Sequence, residues 1–307
     1  MDKRLTRSDF MFILVFIFML IFALGAFFVG MKVGTDRTEL KYADLVKLKR
    51  EERAGLTAYH QSYLVSFYHT VYLPFREFNL VWSQDMEKIE NESSSTDFSS
   101  LFKSLSKLAN DKYEAMVNQT MPEISPLLAE AHDEYLRSLK LFSQAADSME
   151  SKANRLAPDA LLSEINKDAY FGEAKNYALA AQKNYFDAIV LWHQSMDSTA
   201  KGIDAISGEI SFNGWSALSL NLKNAYIAGL LAQDKLFLDV TPQDVSLGID
   251  EMIRSGQDKK LNAANVPQAV EILIDSRAVR QGDFVKSKAK FYSGELLPQL
   301  PFFSKME

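Results

Sequence analysis

A chain of 307 residues with 47% hydrophobic and 24% charged side chains can fold and can bury a large core. Its formal net charge of −6 offers no broad cationic surface to neutralise phosphates, which disfavours nucleic acid as a partner. With no cysteine, disulfides, thiolate metal sites, iron–sulfur clusters and cysteine nucleophiles are excluded together.

From Phe10 to Met31 the chain reads FMFILVFIFMLIFALGAFFVGM, without one charged or hydrogen-bonding side chain. At about 1.5 Å rise per residue such a helix covers the roughly 30 Å hydrocarbon core of a bilayer, so a transmembrane signal anchor is expected at residues 10–31. A cleaved signal peptide is the competing reading. Lys3, Arg4 and Arg7 make a basic n-region, and Ala23 with Gly25 supply small residues before a cleavage site. The apolar run outlasts the usual h-region of about 7–15 residues, which favours an uncleaved anchor. Lys32, Arg37 and Lys41 follow the segment as closely as the three basic residues precede it. Long domains cross membranes largely regardless of charge, so residues 1–9 are expected as a cytoplasmic tail and the bulk of the chain as extracytoplasmic. Ala26, Gly30 and Gly34 recur every fourth position, the pattern that lets two membrane helices pack closely into a homodimer. Such small residues are also common in membrane helices generally, and Gly34 equally marks the exit from the bilayer.

Residues 32–238 read as a stalk and helical bundle. Asp36 to Glu90 is interrupted only by Gly55 and Pro74, which predicts a long helix bent or broken just before Pro74. The polar stretch from Asn91 to Ser100 is expected as a loop ending in a cap. Phe98, Leu101, Leu105, Leu108, Tyr113 and Met116 give the next helix an apolar face. Thr120, Pro122 and Glu123 form a helix-start pattern, after which Ile124, Leu128, Ala131, Tyr135, Leu139, Phe142, Ala146 and Met149 keep to steps of three and four up to Pro158. Tyr170, Ala174, Tyr177, Ala181, Tyr185, Ala188 and Trp192 repeat that spacing, as do Trp215, Leu218, Leu222, Ala225, Gly229, Ala232 and Leu236.

Residues 239–307 read as a C-terminal helical subdomain. Thr241, Pro242 and Asp244 start one helix that stops near Gly256, Asn265 with Pro267 starts another, and Gly282 with Asp283 a third carrying Phe284 and Phe291. The final GELLPQLPFFSKME is expected as an extended tail laid along the bundle. No alternating run bounded by turn pairs and no fixed-period repeat occurs, so the expected fold is all-α.

The search for chemistry ends without a motif. No glutamate lies one turn before His60, His69, His132 or His193, which removes the paired Glu-x-x-His signature of di-iron bundles, and HExxH is missing. Phosphate-binding glycine loops and the GxSxG elbow are missing too, so no metal, nucleotide or other cofactor is expected. Asn91 with Ser93 and Asn118 with Thr120 fit the glycosylation pattern, and Pro298 with Pro301 a formal PxxP, each near chance. The most unusual stretch is YHQSYLVSFYHTVYLPFREFNLVW, in which Tyr59, Tyr63, Phe67, Tyr72, Phe75 and Trp82 are the candidate ligand-binding residues of an aromatic pocket. Plain packing of a buried bundle helix explains the same rings.

Three functions remain. The first is a non-enzymatic interaction or scaffold component of the cell envelope, anchored in the lipid bilayer and bound to a protein partner there. The second is an extracytoplasmic ligand-binding or sensory module signalling through a membrane partner. The third is an enzyme using carboxylates gathered by the fold.

Overall fold

In the computed structural model the described residues are Met19, 57–91 and 97–303. The expected anchor at 10–31, its packing residues Ala26, Gly30 and Gly34, and the start of the stalk lie outside them. No helix among the described residues is long and apolar enough to cross a membrane.

Every element of this part is helical, and no strand occurs among the described residues. The predicted helix from Asp36 is interrupted by a turn at Thr57–His60, where the His60 amide bonds the Thr57 carbonyl at 3.1 Å. α1 (Gln61–Phe67) starts there, with His60 Nδ1 accepting the Ser62 amide as the cap. It runs through a π-helical turn (Tyr68–Tyr72) directly into α2 (Leu73–Asn91). The disturbance expected ahead of Pro74 is present, but the helix does not break. The Leu73 amide reaches back to the Tyr68 carbonyl, so one wide turn absorbs the missing proline donor.

α3 (Phe98–Val117) is capped by Asp97, whose carboxylate accepts the Ser100 amide. Its buried face is Phe98, Phe102, Leu105, Ala109 and Met116. Leu101 and Leu108, expected on that face, flank it half-buried. α4 (Pro126–Ala153) begins later than predicted. Residues Thr120–Glu123 precede it, the Ser125 amide closes a turn on the Pro122 carbonyl at 2.9 Å, and Pro126 takes the first helical position. Ile124, expected in the core, is therefore exposed. Leu128, Ala131, Tyr135, Leu139, Phe142, Ala146 and Met149 are buried as the spacing requires.

Pro158 does not end that helix but starts α5 (Pro158–Lys167), because proline costs nothing where the first amide has no acceptor anyway. α6 (Ala169–Met196) follows, with Tyr170 exposed and Ala174, Ala181, Tyr185, Ala188 and Trp192 buried. Buried Leu179, Phe186, Ile189 and Val190 show that it is covered on more than one side. The next predicted helix is two, α7 (Phe212–Ser216) and α8 (Leu220–Gln233), separated by a turn at Ala217–Ser219.

Side-chain pairs fix the directions. From α3 to α4 the bonded pairs Ser106–Ser143 and His132–Met116 run in opposite order, as do Ser148–Asp168 and Asn184–Glu134 between α4 and α6. Phe75–Tyr135 and Trp82–Phe142 run in the same order, so α2 and α4 are parallel. This is the up-and-down arrangement that short loops impose on neighbouring helices.

α9 (Pro242–Ser255) starts where expected, on a Thr241–Asp244 capping box, and closes at Gly256, whose φ of 69° is a left-handed conformation that glycine adopts without a Cβ clash. After the short α10 (Gln257–Lys260), α11 (Val266–Asp275) starts on the Asn265 cap and α12 (Asp283–Phe291) after Gly282. From Ser293 to Phe303 the described part of the tail is non-helical, with turns, and packs on the bundle. Leu300 is fully buried, and the Phe302 ring lies 5.4 Å from that of Tyr68. From Thr57 on, one compact unit and one contiguous apolar core result.

Candidate functional site

The six candidate ring residues divide into two groups. Tyr59 and Tyr63 are half-buried at the start of the first helix; the Leu127 amide donates to the Tyr59 hydroxyl at 3.4 Å, and burial raises that hydroxyl's pKa. Phe67, Tyr72, Phe75 and Trp82 are core residues. Phe67 and Tyr72 lie 4.8 and 5.0 Å from the Tyr185 ring, Phe75 4.4 Å from Tyr135, and Trp82 4.8 Å from Phe142 and stacked on Phe171. Each of the four packs against at least one other ring, the arrangement that yields dispersion and quadrupole attraction. Burial pushes the Tyr72 hydroxyl up to about 12, and the Tyr135 and Tyr185 hydroxyls are raised in the same way. All three stay neutral at physiological pH.

Of the six, Phe75 alone borders a cleft, which opens one turn beyond Pro74 between α2 and α6. Its volume is about 10 Å³, enough for roughly one water-sized guest. Arg76 and Asn79 of α2, Tyr135 of α4, Leu179 and Gln182 of α6, Leu231 of α8 and, from the loop after it, Leu236, Phe237, Leu238 and Val240 line it. The loop is clasped by α2. The Arg76 guanidinium donates to the Asp239 carbonyl, and Asn79 Nδ2 donates to the Leu238 carbonyl at 2.9 Å. No carboxylate borders the cleft.

A second polar cluster lies between α8 and α9. Lys223 Nζ contacts both Asp250 oxygens at 2.9 Å, Trp215 Nε1 donates to Oδ1 at 2.8 Å, and the Tyr292 hydroxyl to Oδ2 at 2.5 Å. Burial and then the Asp250 charge push the Tyr292 hydroxyl's pKa far up. Four hydrogen bonds from three side chains occupy about all the lone pairs a carboxylate has, so this aspartate serves structure rather than proton transfer or metal binding. On the same two helices, Asn224, Gln243 and Ser246 are buried with polar atoms that meet no partner. Gln243, Ser246 and Asp250 share one face of α9 by their three- and four-residue spacing.

Three of the four histidines hold structure together. His60 caps α1, His132 Nε2 lies 3.0 Å from the Met116 carbonyl, and His193 Nδ1 lies 3.2 Å from Asn221 Nδ2. No group of three or more acidic or histidine side chains among the described residues is placed to hold a metal.

Sequence reasoning singled out the rings and passed over Arg76. The signal was available: a charged residue four positions after Tyr72, three before Asn79 and inside an aromatic run sits on the row that points to the core. Lys223 in the apolar string LNLKNAYIAGLLAQ gives the same signal. No family model, no curated protein and no solved structure matches the chain.

Proposed function

We propose that the chain is a membrane-anchored, extracytoplasmic interaction component of the cell envelope that works by binding a protein partner rather than by catalysis. The observation that carries this reading is the uninterrupted apolar run from Phe10 to Met31 followed, from Thr57, by one compact helical unit with an aromatic core. A filled core gives a rigid body whose outer helix faces are its means of action, and the run before it supplies a tether. The three basic residues of the N-terminal tail support a cytoplasmic start. Ala26, Gly30 and Gly34 give the tether a face on which two copies can pair.

The reading is tested in intact cells. The full-length chain should resist alkaline extraction from membranes, its body should be cleaved by protease added outside, and crosslinking should capture a defined envelope protein. Recovery of the intact chain in the aqueous fraction, or a body digested only after lysis, would refute it.

A further inference from the structure

We propose that the cleft between α2 and α6 binds one small monovalent anion, a halide or the carboxylate head of a larger molecule, held by the Arg76 guanidinium with the Tyr135 hydroxyl and the Gln182 amide. Arg76 is 8% exposed, Tyr135 1% and Gln182 9%. A guanidinium removed from water to that degree costs several kcal/mol unless a negative group answers it. Its hydrogen-bond acceptor is the neutral Asp239 carbonyl, which takes one of five N–H donors. No carboxylate of the described residues comes within ion-pair distance of it. The nearby buried carboxylate of Asp244 is committed elsewhere: Oδ2 accepts the Thr241 amide and hydroxyl, and Oδ1 accepts the Phe284 amide.

The remaining groups face the same way chemically. Tyr135 and Gln182 bring an O–H and an N–H₂ to the lining, and Asn79 spends one of its two N–H donors on Leu238. A cleft with a buried cation, several neutral donors and no acid selects negative charge. Its size decides which. About 10 Å³ admits one atom-sized guest, a halide or a single carboxylate oxygen with the rest of its group at the mouth, and one guanidinium balances one charge. Half-buried Leu236, Phe237 and Leu238 form an apolar rim over which the chain of a carboxylate can leave.

The test is ³⁵Cl NMR on the full-length chain in dodecyl maltoside, exchanged into sodium sulfate and titrated with chloride, with thermal melting recorded in parallel. Saturable line broadening is expected, together with a raised melting temperature. Equal displacement by bromide and acetate assigns the site to free small anions. Displacement by octanoate at lower concentration than acetate assigns it to the head group of a larger carboxylate. Either result supports the proposal. Arg76→Gln should abolish the broadening, and Tyr135→Phe should raise the half-saturating concentration about tenfold, the worth of one hydrogen bond to a charged group. Tyr135→Phe keeps the ring, so it reports even where Arg76→Gln fails to fold. Broadening unchanged in the folded variants, or no saturable effect of chloride, acetate or octanoate, overturns the proposal.

Discussion

Lys223 and Asp250 form a closed ion pair inside the protein, Nζ 2.9 Å from both carboxylate oxygens, their side chains 9% and 11% exposed. Trp215 and Tyr292 add their donors to the same carboxylate, so α7, α8, α9 and the residue after α12 meet at one point. Lys223→Met removes the cation and leaves a buried charge, which should cost about 3–5 kcal/mol in urea unfolding. Adding Asp250→Leu should recover part of that loss. No recovery would show that Trp215 and Tyr292, rather than the charge, set the cost.

Asn224 is fully buried and neither atom of its amide has a partner. Each unanswered buried polar group costs about 1–3 kcal/mol, so Asn224→Leu, close in volume, should raise the urea midpoint without changing the slope. A lower midpoint would mean that the amide is engaged by a bound polar group in solution.

Glu134 carries the clearest pH dependence. Burial raises its pKa from 4.5 to about 7, only partly offset by the hydrogen bond from Asn184 Nδ2 at 2.9 Å. A carboxyl whose folded pKa lies above its unfolded value contributes stability that is complete below about 4.5 and is lost as pH rises through 7. Melting temperature should fall across that window, and Glu134→Gln should flatten the slope. Asp97 acts oppositely and lower, since hydrogen bonds from Asn154 and Ser100 hold it at about 2, and its contribution is lost as pH falls from 3.8 toward that value. A slope unchanged in Glu134→Gln would remove this glutamate as the source.

Trp82 is 2% exposed and enclosed by Phe78, Phe142 and Phe171, so Trp82→Ala should cost about 3–5 kcal/mol. Tyr63 is half-buried, and Tyr63→Ala should cost clearly less. The Trp82 Nε1–H is buried without an acceptor, so Trp82→Phe should recover much of the loss at position 82. Equal losses for the two alanine variants would contradict this division of the ring residues.

Local chemistry made many elements legible. The Thr241–Asp244 box, Gly256, the Asn265 cap and the start at Asp283 depend on a few adjacent residues, and the structure places each where the sequence does. The helix starts at Thr120 and the end at Pro158 were misread because proline opens a helix as readily as it closes one, and neighbours decide which. At Ser125 the deciding contact is its hydroxyl donating to the carbonyl of Ala58, far away in the chain. On α3 the choice of Phe102 over Leu101 depends on a rotation of the helix that its partner helices set.

By itself the sequence determined an all-helical chain, the apolar run from Phe10 to Met31 and most of the residues that fill the core, because hydrophobic spacing and capping act over one or two turns. Only the tertiary structure decided that the aromatic stripe is closed by Tyr135, Tyr185 and Phe142, that Arg76 stands in a cleft without an acid, and that Lys223 meets Asp250. Those facts depend on side chains from helices dozens of residues apart, and a buried charge or ring takes its role from what the fold brings against it.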